Sequence, residues 1–242
     1  MIIRAAGVSR PDPSLNSIEH SVRAGLDCLQ RAGLTVHDVD ILVNVGVYRH
    51  HNMCEPAVCA IIQHELRMCL NPMTHPVDKT VFSFDLNNGA CGVLSALQVV
   101  GAVLPTRGLD HALIVGADCH PSGAETPHFP ITPMGAALLL SRSDGPTGLQ
   151  AIWQRTSTEA LDGQRGACDI EEHGVASRNI IDIVRSPNFV PKLQAFTAKV
   201  VDDYLDHHSI ERAGLRLICS EPSANFARQL AADLGLDDGA AI

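Results

Sequence analysis

One stretch constrains the fold of this chain more than any other: Thr80-Val-Phe-Ser-Phe-Asp85-Leu-Asn-Asn-Gly-Ala90-Cys91-Gly-Val-Leu-Ser-Ala-Leu97. β-Branched and aromatic residues, broken only by Ser83, run over 80–84 and stop at Asp85, small and polar residues with a cysteine follow, and a helical apolar pattern begins at Val93. Strand, tight turn and helix in that order put the turn at a helix N-terminus, where open backbone N–H groups and the helix dipole favour a thiolate or an oxyanion. This is the layout of a nucleophile elbow. A cysteine there can attack a thioester and hold the acyl group covalently. The same turn also accommodates a cysteine that is only a small buried side chain.

The rest of the chain alternates strand and helix signals. Apolar residues recur at helical spacing over 18–32 and Gly33 stops them, while 39–47 is a nearly continuous apolar run that reads as a strand buried on both faces. A helix over 56–66, a proline-containing loop to 77, the elbow unit to 104 and a strand over 112–116 follow. The Asp-Gly-Pro turn within 141–148 is the best boundary, dividing 1–145 from 146–242. The second part reads as a strand over 149–155, a polar irregular region to 172, a long helix over 190–207 and a strand over 215–220. Such alternation predicts an α/β fold.

Three further segments, with the elbow, resemble the thiolase superfamily and in particular β-ketoacyl synthase III. Ala112-Leu-Ile-Val-Gly-Ala-Asp118 is similar to that family's hydrophobic strand ending in Gly-Ala/Ser-Asp/Glu, and Met134-Gly-Ala-Ala-Leu-Leu-Leu140 to its Gly-x-Gly-Ala-Ala strand. Ser223-Ala-Asn-Phe-Ala-Arg-Gln-Leu-Ala-Ala-Asp-Leu-Gly235 resembles the helix after its His-Gln-Ala-Asn motif. The resemblance implies a thiolase-like fold: two pseudo-repeated α/β halves with mixed sheets and central helices, the second half shortened. It implies acyl-thioester chemistry, with acyl-CoA or acyl carrier protein as substrate and no bound cofactor.

The resemblance also locates the catalytic positions, and the residues there depart from it. Aligned without a gap, Ala90 takes the family's nucleophile position and Cys91 falls one residue later, about 100° further round a helix. An insertion within Asn87-Asn88-Gly89 would return Cys91 to the elbow and put Gly92 out of register. The family histidine, which orients the thioester, corresponds to Ser220 or Pro222 according to how Cys219-Ser-Glu-Pro-Ser-Ala-Asn225 is aligned, with Asn225 kept as the motif asparagine. Neither replaces an imidazole. A third group, an asparagine in a Gly-Asn turn, has no counterpart before Ile242.

Other clusters carry weaker chemistry. Tyr48-Arg-His-His-Asn-Met-Cys54 with Cys59 and His64 lacks the paired spacing of a zinc site and reads as a polar loop leading towards an interface. Asp118-Cys119-His120 cannot aim neighbouring side chains the same way from an extended segment. His207-His208 ends a helix, where the dipole favours imidazole. A net charge of −9 argues against nucleic-acid or anionic-membrane partners, and no run approaches the length of a membrane span. Eight singly spread cysteines and no signal peptide point to the cytoplasm.

Two functions follow. One is a noncatalytic or accessory subunit with a degenerate site, forming a homodimer or a heterodimer with an active β-ketoacyl-synthase-like chain. The other is an acyltransferase or condensing enzyme that carries the acyl group on Cys91.

Overall fold

A computed structural model describes residues 1–71, 73, 79–122, 129–157 and 163–242. They form two compact units, Met1–Ile152 with Ala167–Asp182, and Trp153–Gly166 with Ile183–Ile242.

The first unit is built from β1 (Ile2–Ser9), α1 (Ser17–Ala32), β2 (Ile41–Asn44), α2 (Val58–Glu65), β3 (Phe82–Asp85), α3 (Gly92–Arg107), β4 (His111–Asp118) and β5 (Met134–Ser141). The strands form one sheet in the order β1-β5-β4-β2-β3. β4, β2 and β3 run parallel, and β5 is antiparallel to both of its neighbours. Alternation along each strand divides the core. Leu42, Leu113, Val115 and Leu139 face α1 and α2, whereas Ile41, Val43, Ile114 and Leu140 face α3. The central strands are therefore apolar on both sides, which is why 112–116 reads as an unbroken run and 39–47 as a nearly continuous one.

Local chemistry fixes the helix ends. The Asn16 side chain accepts from the backbone of Ile18 and Glu19 at 2.9 and 3.1 Å, and Glu19 accepts from Asn16 N at 2.8 Å, closing a capping box. Gly33, at φ +68°, ends α1 in the left-handed conformation. Helix α1 then lies against β1 so closely that a Cβ on Gly7 would sit 2.3 Å from Ala24 O and 2.4 Å from Cys28 N. Fully buried His20 secures the same junction. Its Nε2 lies 3.0 Å from the Asp12 carbonyl and so carries the proton, leaving Nδ1 to accept from the Ser9 hydroxyl at 2.7 Å.

The second unit holds a two-stranded ribbon, β6 (Gln164–Ala167) with β7 (Asp182–Arg185), and helices α5 (Phe189–His207) and α6 (Phe226–Asp233). Phe226, Leu230 and Leu234 of and beside α6 pack with Val190, Leu193 and Val201 of α5. Trp153 meets Tyr204 edge-on at 5.5 Å, and the Arg155 guanidinium lies 4.2 Å over its ring. The excursion between β6 and β7, helix α4 (Ile170–His173) and a 3₁₀ turn over Gly174–Asn179, belongs to the first unit. Asn52 Nδ2 holds it there, donating to Ser177 O at 2.9 Å and Ile180 O at 2.8 Å.

Two expected strands are absent. Over 149–155 the apolar side chains are taken up singly, Leu149 and Ile152 by the α3 side of the first unit and Trp153 by Tyr204, and the backbone runs irregularly. Over 215–220 only an isolated bridge forms, Leu217 with Ala241, and Ile218 is 80% exposed. A strand needs a ladder partner, and no described strand lies alongside. Conversely β1, β6 and β7 were not anticipated, since Gly, Ala and charged residues interrupt their alternation.

Gly7→Ala should lower stability by at least ~1–3 kcal/mol, because backbone atoms cannot yield to the new methyl. Gly163→Ala, with nothing within 4 Å, should stay within ~1 kcal/mol of wild type in the same urea titration. Asp40 gives a pH test. Burial works to raise its pKa, but Lys79 Nζ at 2.8 Å and the backbone N–H groups of His111 and Asp110 outweigh that and hold the carboxyl below its ordinary value. Its contribution is thus present at neutral pH and lost as pH falls through the depressed folded-state value. Lys79→Met should flatten the acid limb of stability below about pH 4, measured by thermal unfolding across pH.

Candidate active site

The elbow is real in outline. β3 ends where Leu86 N donates to Asn44 O at 2.9 Å, and Asn87 and Asn88 then lead into a 3₁₀ turn over Gly89–Cys91 and directly into α3. Gly89 sits at φ +49°, which a side chain would disfavour. At Gly92 a Cβ would lie 3.3 Å from Val45 Cβ, so a glycine lets the helix start close against the chain after β2. Cys91 is the N-cap residue of α3, exposed like Ala90, and no side chain caps the helix there. Among the described residues its thiol has no hydrogen-bond partner, imidazole or other.

What holds the turn is a buried polar network that the sequence did not reveal. Asp85 Oδ1 accepts from Asn44 Nδ2 at 2.9 Å and from Cys59 N at 2.8 Å, and Oδ2 accepts from Val58 N at 2.9 Å and lies 3.4 Å from Arg49 Nη1. The carboxylate therefore sits on the N-terminus of α2, where the dipole favours it. The Arg49 and Asp85 side chains are 10% and 11% exposed. Arg49 Nη2 also donates to Asn87 Oδ1, and Nη1 to Met53 O at 3.4 Å. Nothing in the spacing of Arg49 marks it out, because Asp85 and Asn87, its side-chain partners, lie more than thirty residues further along the chain.

Neighbouring candidates resolve into structural roles. Asp118 accepts from Val47 N and Tyr48 N, both at 2.7 Å, and its burial raises its pKa more than those bonds lower it. Cys119 is buried, which pushes its thiol up to about 12. His120 turns the other way, its pKa lowered by burial and its Nδ1 2.7 Å from Ser122 Oγ. Cys59 Sγ donates to Leu42 O at 3.3 Å inside the core, while Cys54 is exposed. Among the described residues no three His, Cys, Asp or Glu side chains stand together as metal ligands would.

Ser220 and Asn225 lie in the second unit, and Cys91 in the first. Ser220 is exposed, and its hydroxyl has no partner among the described residues. Asn225 adopts φ +64° at the start of α6, and its side chain makes no cap bond. Glu221 does that work instead, accepting from Phe226 N at 3.0 Å and Ala227 N at 3.2 Å. An acidic residue just ahead of a helix start was the available signal for it.

No family model and no curated protein matches the sequence. Solved structures do. A tetronic acid condensing enzyme superposes with TM-score 0.74 at 16% identity, over 100% of this chain and 82% of that one. 3-Oxoacyl-(acyl carrier protein) synthase III from Pseudomonas aeruginosa PAO1 gives 0.69 at 18%, over 100% and 81%. OleA of Xanthomonas campestris, with bound lauric acid and lauroyl-CoA, gives 0.62 at 13%, over 96% and 69%. The fold is that of the thiolase-like, β-ketoacyl synthase III-like enzymes. The expected architecture is thereby borne out, at identities that speak to fold alone. No described helix is long and apolar enough to cross a membrane.

Thiol accessibility separates the cysteines. In the folded protein iodoacetamide should label Cys54 and Cys91 within minutes. It should spare Cys28, Cys59 and Cys119, which are at most 2% exposed and whose burial pushes them up to about 11, 12 and 12. Peptide mapping of labelled and unlabelled sites checks this.

Proposed function

We propose that this chain is a noncatalytic or accessory subunit of acyl-thioester metabolism, pairing through β3 with an active β-ketoacyl-synthase-like chain or with its own copy. The observation that carries the reading is the open edge beside the elbow. β3 is the last strand of its sheet, and Phe82 N and Leu86 N are spent on Asp40 O and Asn44 O of the β2 side. By the alternation of the ladder, the backbone groups of Ser83 and Asp85 then face away from β2, where no described strand meets them. Phe82 is 65% exposed on this edge, and Val93, Leu94 and Val99 of α3 are 39–40% exposed nearby. A solitary edge with apolar surface is a pairing surface.

The noncatalytic half of the reading is supported by the elbow itself, with alanine at the aligned position and a neighbouring thiol that no imidazole meets among the described residues. A second reading keeps one specific observation in its favour: Cys91 is exposed at a helix start no side chain caps, where an acyl group from acyl-CoA or acyl carrier protein could be accepted. Eight free cysteines favour a reducing, cytoplasmic setting.

Sedimentation velocity, alone and mixed with a β-ketoacyl synthase III of the same source, tests the pairing. Ser83→Pro removes an outward N–H without touching the β2 ladder and should convert the dimer to monomer. A wild-type chain that stays monomeric in both settings sinks the subunit reading. Intact mass after incubation with acyl-CoAs tests the chemistry. No adduct is expected, and one that disappears in Cys91→Ala would transfer the conclusion to the acyltransferase reading.

A further inference from the structure

Among the described residues Arg49 is the only buried lysine or arginine. A buried guanidinium needs an anion and several acceptors, and Asp85 with Met53 O supplies them inside the protein. Its bond to Asn87 is of another kind, because Asn87 is exposed and stands in the elbow turn, four residues before Cys91. Burial does not require that bond, so its consequence is for the turn. On the helix side Asn88 Nδ2 donates to Ser95 Oγ at 2.8 Å, so the turn is held at both ends.

We propose that Arg49 is the positioning residue of the 86–91 turn: from a guanidinium fixed on Asp85 it ties Asn87 and thereby sets how Cys91 is presented. The tie acts on the turn whether or not that thiol ever carries an acyl group, so this inference goes beyond the subunit reading and stands apart from its outcome. Arginine suits the role because its planar fork reaches a carboxylate and an amide oxygen together, which a lysine ammonium on one flexible stem does not.

The test compares wild type with Asn87→Ala, Asn87→Asp and Arg49→Lys, reading amide hydrogen exchange of residues 88–92 and the alkylation rate of Cys91 by iodoacetamide at one fixed pH. Asn87→Ala removes only the exposed end of the network. It should speed exchange in the turn about tenfold, the scale of one charge-assisted hydrogen bond, change the alkylation rate several-fold and leave the melting temperature within about 2 °C. Asn87→Asp keeps an acceptor for Arg49 and should restore both readouts, whereas Arg49→Lys should behave as Asn87→Ala. Unchanged exchange and alkylation in Asn87→Ala would overturn the proposal, as would an Asn87→Asp variant that fails to rescue. The Asn87 pair decides the matter even where an Arg49 variant does not fold.

Discussion

Four donors converge on one carboxylate at the carboxyl end of the parallel strands: the Asn44 amide, two backbone N–H groups of α2 and the Arg49 guanidinium, all on Asp85. They come from three places: the end of β2, the start of α2, which gives two of them, and the loop between. Remove the carboxylate and a helix loses its N-terminal partner while a buried cation loses its counter-ion. Breaking such a pair from one side costs about 3–5 kcal/mol, although the intact pair adds little net stability over apolar packing. Its value in this fold is geometric. It decides which loop ends meet, and the elbow is built on that decision.

The helix starts show the same logic. α1, α2 and α6 have their first N–H groups bound by side chains of the chain itself, from Asn16, Asp85 and Glu221. Two of these are carboxylates, each held by two N–H groups, so the positive ends of α2 and α6 are already neutralised. α3 begins without such a cap, and so does α5. The open start at α3 is the elbow, which is where the sequence placed it. The carboxylate on α6 stands in the stretch that aligns with the family's histidine motif, and a group spent on capping is not free for proton transfer.

Much of the first unit was legible because its signals are local or periodic. Doubly buried strands announce themselves as apolar runs at 39–47 and 112–116, and Gly33 marks the end of α1. The elbow was visible as a change of period at Asp85. Arg49 was not visible, because its role exists only once its loop meets the end of β3 and the elbow turn. Glu221 stands beside Ser220 and Asn225 but outside the positions that the family motif marks, and its role is capping chemistry that the motif does not encode. The strand misread at 215–220 failed for a related reason: alternation states that a segment could pair, and pairing is a property of what lies alongside.

Helix α3 carries a further constraint. Ala96, Leu97, Val100 and Leu104 pack inward against the sheet, yet Val93, Leu94 and Val99 on other faces are equally apolar and substantially exposed. A helix that faces water on one side ordinarily keeps that side polar, and one apolar all round is built to be covered. Beside it the rings of Phe82 and Phe84 meet at 5.2 Å, tilted by 36°, and with Ile41, Val99, Val100 and Val103 they line a cavity of about 40 Å³ that holds no polar side chain. The same edge offers backbone donors and acceptors with no protein partner among the described residues. Hydrogen-bonding capacity and apolar surface on one border are the two things a partner strand supplies together, since its backbone completes the ladder while its alternate side chains cover the ring and the helix face. Under the pairing proposed above, one partner strand would meet the edge and the helix face together.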